Sequence, residues 1–145
     1  MRPGPFEVLK IERKEKKRNP VPPFITSTLQ QEASRHYGFS SSRTMSIAQG
    51  LYEGVDLGAE GPEGLITYMR TDSVRIVPEA ADEARRYIQE IYGPEYVPSD
   101  AKQYSTQKSA QDAHEAIRPT NLNHSPDAIK PYLTREQFLL YQLIW

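Results

Sequence analysis

Cysteine is absent from the 145 residues, which excludes disulfides and thiolate metal sites and fits a reducing cytoplasm. No apolar run approaches the roughly 20 residues that span a bilayer. Met1-Arg2-Pro3-Gly4-Pro5 leads into no hydrophobic stretch of the kind a secretory signal carries. Internal repeats and low-complexity tracts are missing too. So is an excess of charge of one sign. The formal net charge of -1 argues against a protein that coats DNA through a broad basic field. The balance is uneven along the chain. Residues 1–20 hold seven Lys/Arg against three Glu, and residues 21–145 hold eleven against sixteen Asp/Glu. Any DNA contact in the acidic main body must rest on a few placed side chains. The length suffices for one domain with a modest core, and a mean hydropathy of -0.69 gives it a polar surface.

Phe6, Val8 and Ile11 alternate imperfectly with charged residues and read as an edge strand. The basic run Arg13 to Arg18 follows, and Asn19-Pro20-Val21-Pro22-Pro23 excludes regular structure. A helix is expected from Ser27, with Ser27 or Thr28 as cap and Gln30 or Gln31 completing a capping box. Leu29, Ala33 and Tyr37 recur at helical spacing until Gly38. A second helix is expected near Ser41 or Ser42, with Met45, Ala48, Leu51 and Tyr52 on one face and Gly54 as its stop. The pair resembles a helix-turn-helix unit. Val55 to Gly64 reads as a loop, and Leu65-Ile66-Thr67-Tyr68 as a short strand. Pro78 opens a third helix with a buried stripe of Ala81, Ala84, Ile88 and Ile91, closed by Gly93. Residues 94–108 read as a polar loop, Ser109 to Ile117 as a short helix stopped by Pro119, and Ser125 or Pro126 as the start of a helical turn. Thr134-Arg135-Glu136-Gln137 is a capping box that leads into Phe138, Leu139, Leu140, Leu143 and Ile144. That helix runs off the chain at Trp145, so the sequence reads as an excised fragment.

The chemistry is concentrated in two runs. The first is Gly64-Leu65-Ile66-Thr67-Tyr68-Met69-Arg70-Thr71-Asp72-Ser73. In an extended segment, residues two apart point the same way, so Tyr68 and Arg70 share a face. An arginine favours the phenolate over the phenol, which otherwise ionises only near pH 10, and it also binds a phosphate under attack. The second run is Ala110-Gln111-Asp112-Ala113-His114-Glu115-Ala116-Ile117-Arg118-Pro119-Thr120. It adds a histidine that can donate to a phosphate oxygen and a second arginine. Read singly, each residue has a plainer use: Tyr68 in packing, Arg70 in an ion pair with Asp72, His114 as a hydrogen-bonded histidine. Asp112, His114 and Glu115 do not make a metal site, because positions 114 and 115 do not share a helical face and no second histidine follows at i+4. No metal ligands are expected in this chain.

Together, the two runs resemble the active-site tyrosine region of the type IA DNA topoisomerases, the bacterial topoisomerase I branch in particular. The family carries its nucleophile in Gly-x-Ile-Thr-Tyr-x-Arg-Thr-Asp-Ser and, some fifty residues on, His-Glu-Ala-Ile-Arg-Pro. The stretch Pro22-Pro23-Phe24-Ile25-Thr26-Ser27-Thr28-Leu29-Gln30-Gln31-Glu32-Ala33 is similar to the family's approach to this domain. The resemblance covers nearly the whole chain from Pro22. It implies a mainly α fold with a small β component, winged-helix-like, within a multidomain enzyme. Residues 1–24 would end an arch-like β domain, and residues 25–145 would form the tyrosine domain, truncated at its C-terminus. Tyr68 would attack a single-strand phosphodiester to give a 5′-phosphotyrosyl link, with Arg70 on the scissile phosphate. His114, Thr71, Ser73 and Arg118 would form the phosphate-facing set. Asp72 and Glu115 would order the site, a role that Ser73 and Arg118 also suit. The resemblance further implies Mg2+ in the full-length enzyme, held by an acidic cluster that this sequence lacks. The implied partners are single-stranded DNA and the remaining domains of a monomeric, ATP-independent, cytoplasmic and nucleoid-associated enzyme that relaxes negative supercoils. The fragment alone is expected to be inactive. Two other readings stay open: a helix-turn-helix module without chemistry, centred on residues 25–54, and an interaction domain in which Tyr68 is only packed.

Overall fold

The computed structural model describes residues 21–97 and 114–145. The strand expected at Phe6 to Ile11, the basic run after it and the first part of the helix expected from Ser109 lie outside the described residues. The fold is mainly helical with one two-stranded sheet.

The first helix, α1, spans Thr26–Tyr37, and its cap lies two or three residues before the expected Ser27 or Thr28. Ile25 takes the cap position, and its amide donates to the Thr28 hydroxyl at 3.0 Å. Gly38 ends the helix in the left-handed conformation, φ 69°, which residues with a Cβ rarely adopt. The second helix, α2, spans Ser41–Glu53 and is capped by the Ser40 hydroxyl, which accepts the Arg43 amide at 3.1 Å. Its inner face is Thr44, Met45, Ala48 and Leu51. Tyr52, expected on that face, is 40% exposed instead.

Val55 to Gly64 is not a plain loop. It holds a hairpin of β1 (Val55–Asp56) and β2 (Pro62–Glu63), paired antiparallel as Val55↔Glu63 and Asp56↔Pro62 around a 3-10 turn at Gly58–Glu60. Strands of two residues are too short to show alternation, and the glycines and acids between them hide the pairing. Gly64 then passes directly beneath the end of α2. A Cβ there would lie 2.7 Å from the Tyr52 carbonyl oxygen. Gly64→Ala must therefore push backbone apart, and a stability loss of about 1–3 kcal/mol is expected in urea denaturation.

The strand expected at Leu65 to Tyr68 is reduced to a single bridge, Ile66↔Pro119. Two bonds flank it, from the Thr67 amide to the Arg118 carbonyl at 2.9 Å and from the Thr120 amide to the Leu65 carbonyl at 3.0 Å. The residues opposite it overturn a second expectation. From His114 to Ile117 the chain is not helical. Ile117 pairs with Phe24, donating its amide to the Phe24 carbonyl at 2.9 Å, and the Ala116 amide donates to Arg75 at 2.9 Å. A short apolar run reads equally as helix or strand, and the proline at 119 biases the residue before it toward extended backbone. The backbones of Phe24, Arg75 and Thr67 supply the partners that decide it.

The third helix, α3, spans Pro78–Tyr92 with Pro78 in its first turn, and Gly93 ends it at φ 105°. Its expected stripe is not buried. None of its residues is, and Ile91 is 58% exposed. It touches the last helix through Tyr87 and Trp145, edge to face at 5.7 Å. The short α4 (Pro126–Ile129) follows a Ser125 cap, and α5 spans Arg135–Ile144. The Thr134–Gln137 capping box forms as expected, with bonds of 3.0 and 3.1 Å. Leu29 and Ala33 of α1, Ala48 and Leu51 of α2 and Leu140 and Ile144 of α5 close over Leu65, Ile66, Met69 and Ile117 to make one core. Arg43 and Glu136 join the starts of α2 and α5 in an exposed ion pair.

Tyr141 is fully buried in that core, and its hydroxyl donates to the His124 carbonyl at 2.6 Å. Burial, and secondarily the nearby Glu63 carboxylate, push this phenol above the usual tyrosine range. Its folded pKa is raised, so its contribution to stability is fully present below the unfolded value of about 10 and is lost as pH rises beyond it. Melting curves between pH 9 and pH 11.5 are expected to fall more steeply for the wild type than for Tyr141→Phe. At neutral pH the variant loses one hydrogen bond, about 1 kcal/mol.

Candidate active site

From Tyr68 to Ser73 the side chains alternate between solvent and interior. Tyr68 is 46% exposed, and Arg70 and Asp72 are exposed, whereas Met69, Thr71 and Ser73 are buried. The alternation is that of extended backbone. It puts the hydroxyl, the guanidinium and a carboxylate on the outer side, and Met69 among the core residues.

Two threonines pin this segment from opposite edges. On one side, the Thr67 hydroxyl donates to the Ala116 carbonyl at 2.8 Å and accepts the Arg118 amide at 2.9 Å, while the Thr67 amide donates to the Arg118 carbonyl at 2.9 Å. On the other, the Thr26 hydroxyl donates to the Met69 carbonyl at 2.8 Å and accepts the Thr71 amide at 2.9 Å, and the Thr26 amide donates to the Thr71 carbonyl at 3.0 Å. Tyr68 and Arg70 thus project from backbone held on both flanks.

A cavity of about 470 Å³ opens where these pieces meet. Arg70, Thr71, Asp72 and His114 line it together with Ile25, Thr26 and Ser27 at the start of α1. A helix start carries partial positive charge and favours anions, so three positive elements converge there when His114 is protonated. Arg70 also lines a second cleft of about 550 Å³ with Gln30 and residues of α2. Among the described residues Arg70 has no ion pair; the Asp72 pairing weighed from the sequence does not form. Tyr68 lies beside this cavity rather than in its lining. Its ring meets that of Tyr52 edge to face at 5.3 Å.

The remaining residues of the two runs are turned inward. Thr71 accepts the Ser73 amide on its hydroxyl at 3.0 Å, and Ser73 accepts the Arg75 amide at 3.1 Å. Both hydroxyls accept a bond of the chain's own turn here and keep their own O–H to donate. Arg118 is occupied. It forms a two-pronged ion pair with Glu115 at 2.8 and 3.3 Å and donates to the Pro119 carbonyl at 3.0 Å. Reading the sequence missed Thr26 and Tyr52 altogether. Thr26 had no signal beyond its place in the stretch from Pro22, and Tyr52 was hidden in an apparent core stripe.

A profile of the DNA topoisomerase family matches residues 2–145. The chain is 56% identical over 141 residues to DNA topoisomerase 1 of Rickettsia bellii and 52% identical over 143 residues to that of Xylella fastidiosa. These matches cover 97% and 98% of this chain but 18% of each relative. The structure of full-length topoisomerase I from Thermotoga maritima superposes with a TM-score of 0.74 at 50% identity, over 87% of this chain and 19% of that one. The sequence runs around Tyr68 and His114, the helical fold and these likenesses agree, and the chain belongs to the type IA DNA topoisomerase family.

Proposed function

We propose that this chain supplies the nucleophile to a type IA topoisomerase that opens single-stranded DNA. The observation that carries the reading is the pairing of exposed Tyr68 and Arg70 on one face of a doubly pinned segment, beside a cavity shared by His114 and the start of α1. The Tyr68 oxygen attacks the phosphorus, the bond to the 3′ oxygen breaks, and that oxygen leaves with a proton as a 3′ hydroxyl. The strand stays attached through a 5′-phosphotyrosyl ester. The phosphodiester bond energy is kept in that link, so resealing by the reverse attack needs no ATP. Arg70 neutralises the scissile phosphate, and a guanidinium suits its paired oxygens. His114 and the α1 amides hold a neighbouring phosphate. Thr71, Ser73, Asp72 and the Glu115–Arg118 pair keep the segment in place. Passage of the second strand through the gap then relaxes negative supercoils.

In this reading Mg2+ would be held by the remaining domains of the full-length enzyme and would supply polarisation of phosphate oxygens. No step in this chain runs through the ion. Residues 1–24 end an adjoining β domain and residues 25–145 form the tyrosine domain. The partners are single-stranded DNA and the rest of a monomeric, cytoplasmic, nucleoid-associated enzyme. No helix among the described residues is long and apolar enough to cross a membrane.

The test joins the chain to the remainder of the enzyme, adds single-stranded DNA labelled at its 3′ end and quenches with detergent. Label retained on the protein, and absent when the 145-residue chain is assayed alone, is the expected result. Loss of capture with DNA binding intact would favour a binding module without chemistry.

A further inference from the structure

A second cluster of chemically able side chains lies outside the Tyr68 face. Glu60 stands in the turn of the β1–β2 hairpin, Glu63 on β2 and His124 just before α4. They bring one ligand atom each within 4.8 Å of one another. His124 is 5% exposed, and its two ring nitrogens are in different situations. Nε2 lies 3.0 Å from Glu60 Oε1 in hydrogen-bonding alignment. A carboxylate only accepts, so this nitrogen carries the proton. Nδ1 lies 3.1 Å from Glu63 Oε2, yet it is a buried nitrogen without a hydrogen-bond partner. With the ring proton on Nε2, Nδ1 meets that carboxylate as a lone pair, and two acceptors do not bond each other.

That asymmetry matches a metal-binding imidazole. Such a ring donates one N–H to a carboxylate, which fixes the tautomer, and turns its other lone pair to the ion. An ion held at about 2.0–2.2 Å from nitrogen and oxygen keeps those two atoms about 3.0–3.5 Å apart, a range that includes the 3.1 Å found here.

We propose that His124 Nδ1 and Glu63 bind one divalent cation of the Zn2+ type, with Glu60 orienting the ring. An imidazole ligand selects for zinc and its neighbours over magnesium, so the site is chemically distinct from a phosphate-polarising one. Water completes the coordination on the outer side, where Glu60 is 62% and Glu63 33% exposed. The ion would tie the hairpin to the turn before α4. The inference stands on these three residues and does not depend on the role of Tyr68.

The test titrates Zn2+, and separately Mg2+, into the 145-residue chain by calorimetry and follows the histidine nitrogens in long-range 1H–15N spectra. One Zn2+ per chain is expected. It should move the His124 Nδ1 resonance and leave the Nε2 proton in place, and Mg2+ should do neither. His124 is buried and its replacement can unfold the chain, so the deciding variant is Glu63→Gln, checked for folding by circular dichroism. It should weaken Zn2+ binding at least tenfold, and Glu60→Gln about tenfold through the ring's orientation. No saturable binding, or binding undiminished in Glu63→Gln, overturns the proposal; the latter would mark an ion held elsewhere, such as at His36 and Glu32.

Discussion

Tyr68→Phe, in the chain joined to the rest of its enzyme, is expected to reduce covalent capture of 3′-labelled single strands on the order of 10⁴-fold or more. Affinity for the same DNA should stay within about twofold. The substitution removes one oxygen and nothing else. The ring keeps its edge-to-face contact with Tyr52 at 5.3 Å, and a side chain 46% exposed adds little to folding, so a lost signal cannot be laid to unfolding. The neighbouring phenol provides the control. Tyr52→Phe should leave capture unchanged, because its hydroxyl has no part in the reaction. Tyr52→Ala should lower it several-fold by freeing the Tyr68 ring. Capture that survives in Tyr68→Phe and vanishes in Tyr52→Phe would mean that the wrong phenol had been chosen.

Thr26→Val is expected to destabilise the chain by roughly 2–5 kcal/mol, though it alters no volume to speak of. Its hydroxyl serves the Met69 carbonyl at 2.8 Å, the Thr71 amide at 2.9 Å and the Thr71 carbonyl at 3.1 Å. Valine fills the space and leaves the Met69 carbonyl and the Thr71 amide short of partners. Each such group costs about 1–3 kcal/mol when buried. Urea denaturation should show a lower midpoint with an unchanged slope. Capture by the folded variant should fall too, because Arg70 lies between the two backbone groups that are released. Thr26→Ser should restore both properties. A Thr26→Val midpoint indistinguishable from wild type would show that these bonds do not hold the segment.

What the sequence revealed follows from how local the signals are. Ser40, Gly38, Pro78 and the Thr134 box mark helix ends through bonds made within three or four residues, and most helix limits were legible within a residue or two. The shared outward face of Tyr68 and Arg70 was legible from period-two geometry. Contacts between distant segments were not. Residues 114–117 read as helix because their partners, Phe24, Thr67 and Arg75, are 40 or more residues away. The bonds that Thr71, Ser73 and Arg118 make to their own neighbourhood were not legible either, because a side chain that bonds nearby backbone or a neighbouring carboxylate looks the same in a sequence as one that does not. The exposure of Tyr52 and the only partial cover of the α3 stripe, with Ala81, Ala84 and Ile88 half-buried and Ile91 exposed, were hidden because an apolar stripe shows which face could be buried, not how completely it is covered.

The double pinning of the Tyr68 segment has a mechanical meaning. A covalent link between a side chain and a polymer transmits whatever tension the polymer carries. Tension entering at Tyr68 passes into bonds on both flanks, to residues 116–118 through Thr67 and to the start of α1 through Thr26. Bonds on opposite edges share a pull along the segment in shear, and they resist it together rather than opening one after another as a hairpin does when unzipped. Force-resolved measurements on the captured complex should therefore find that the tyrosine segment yields as one unit with α1.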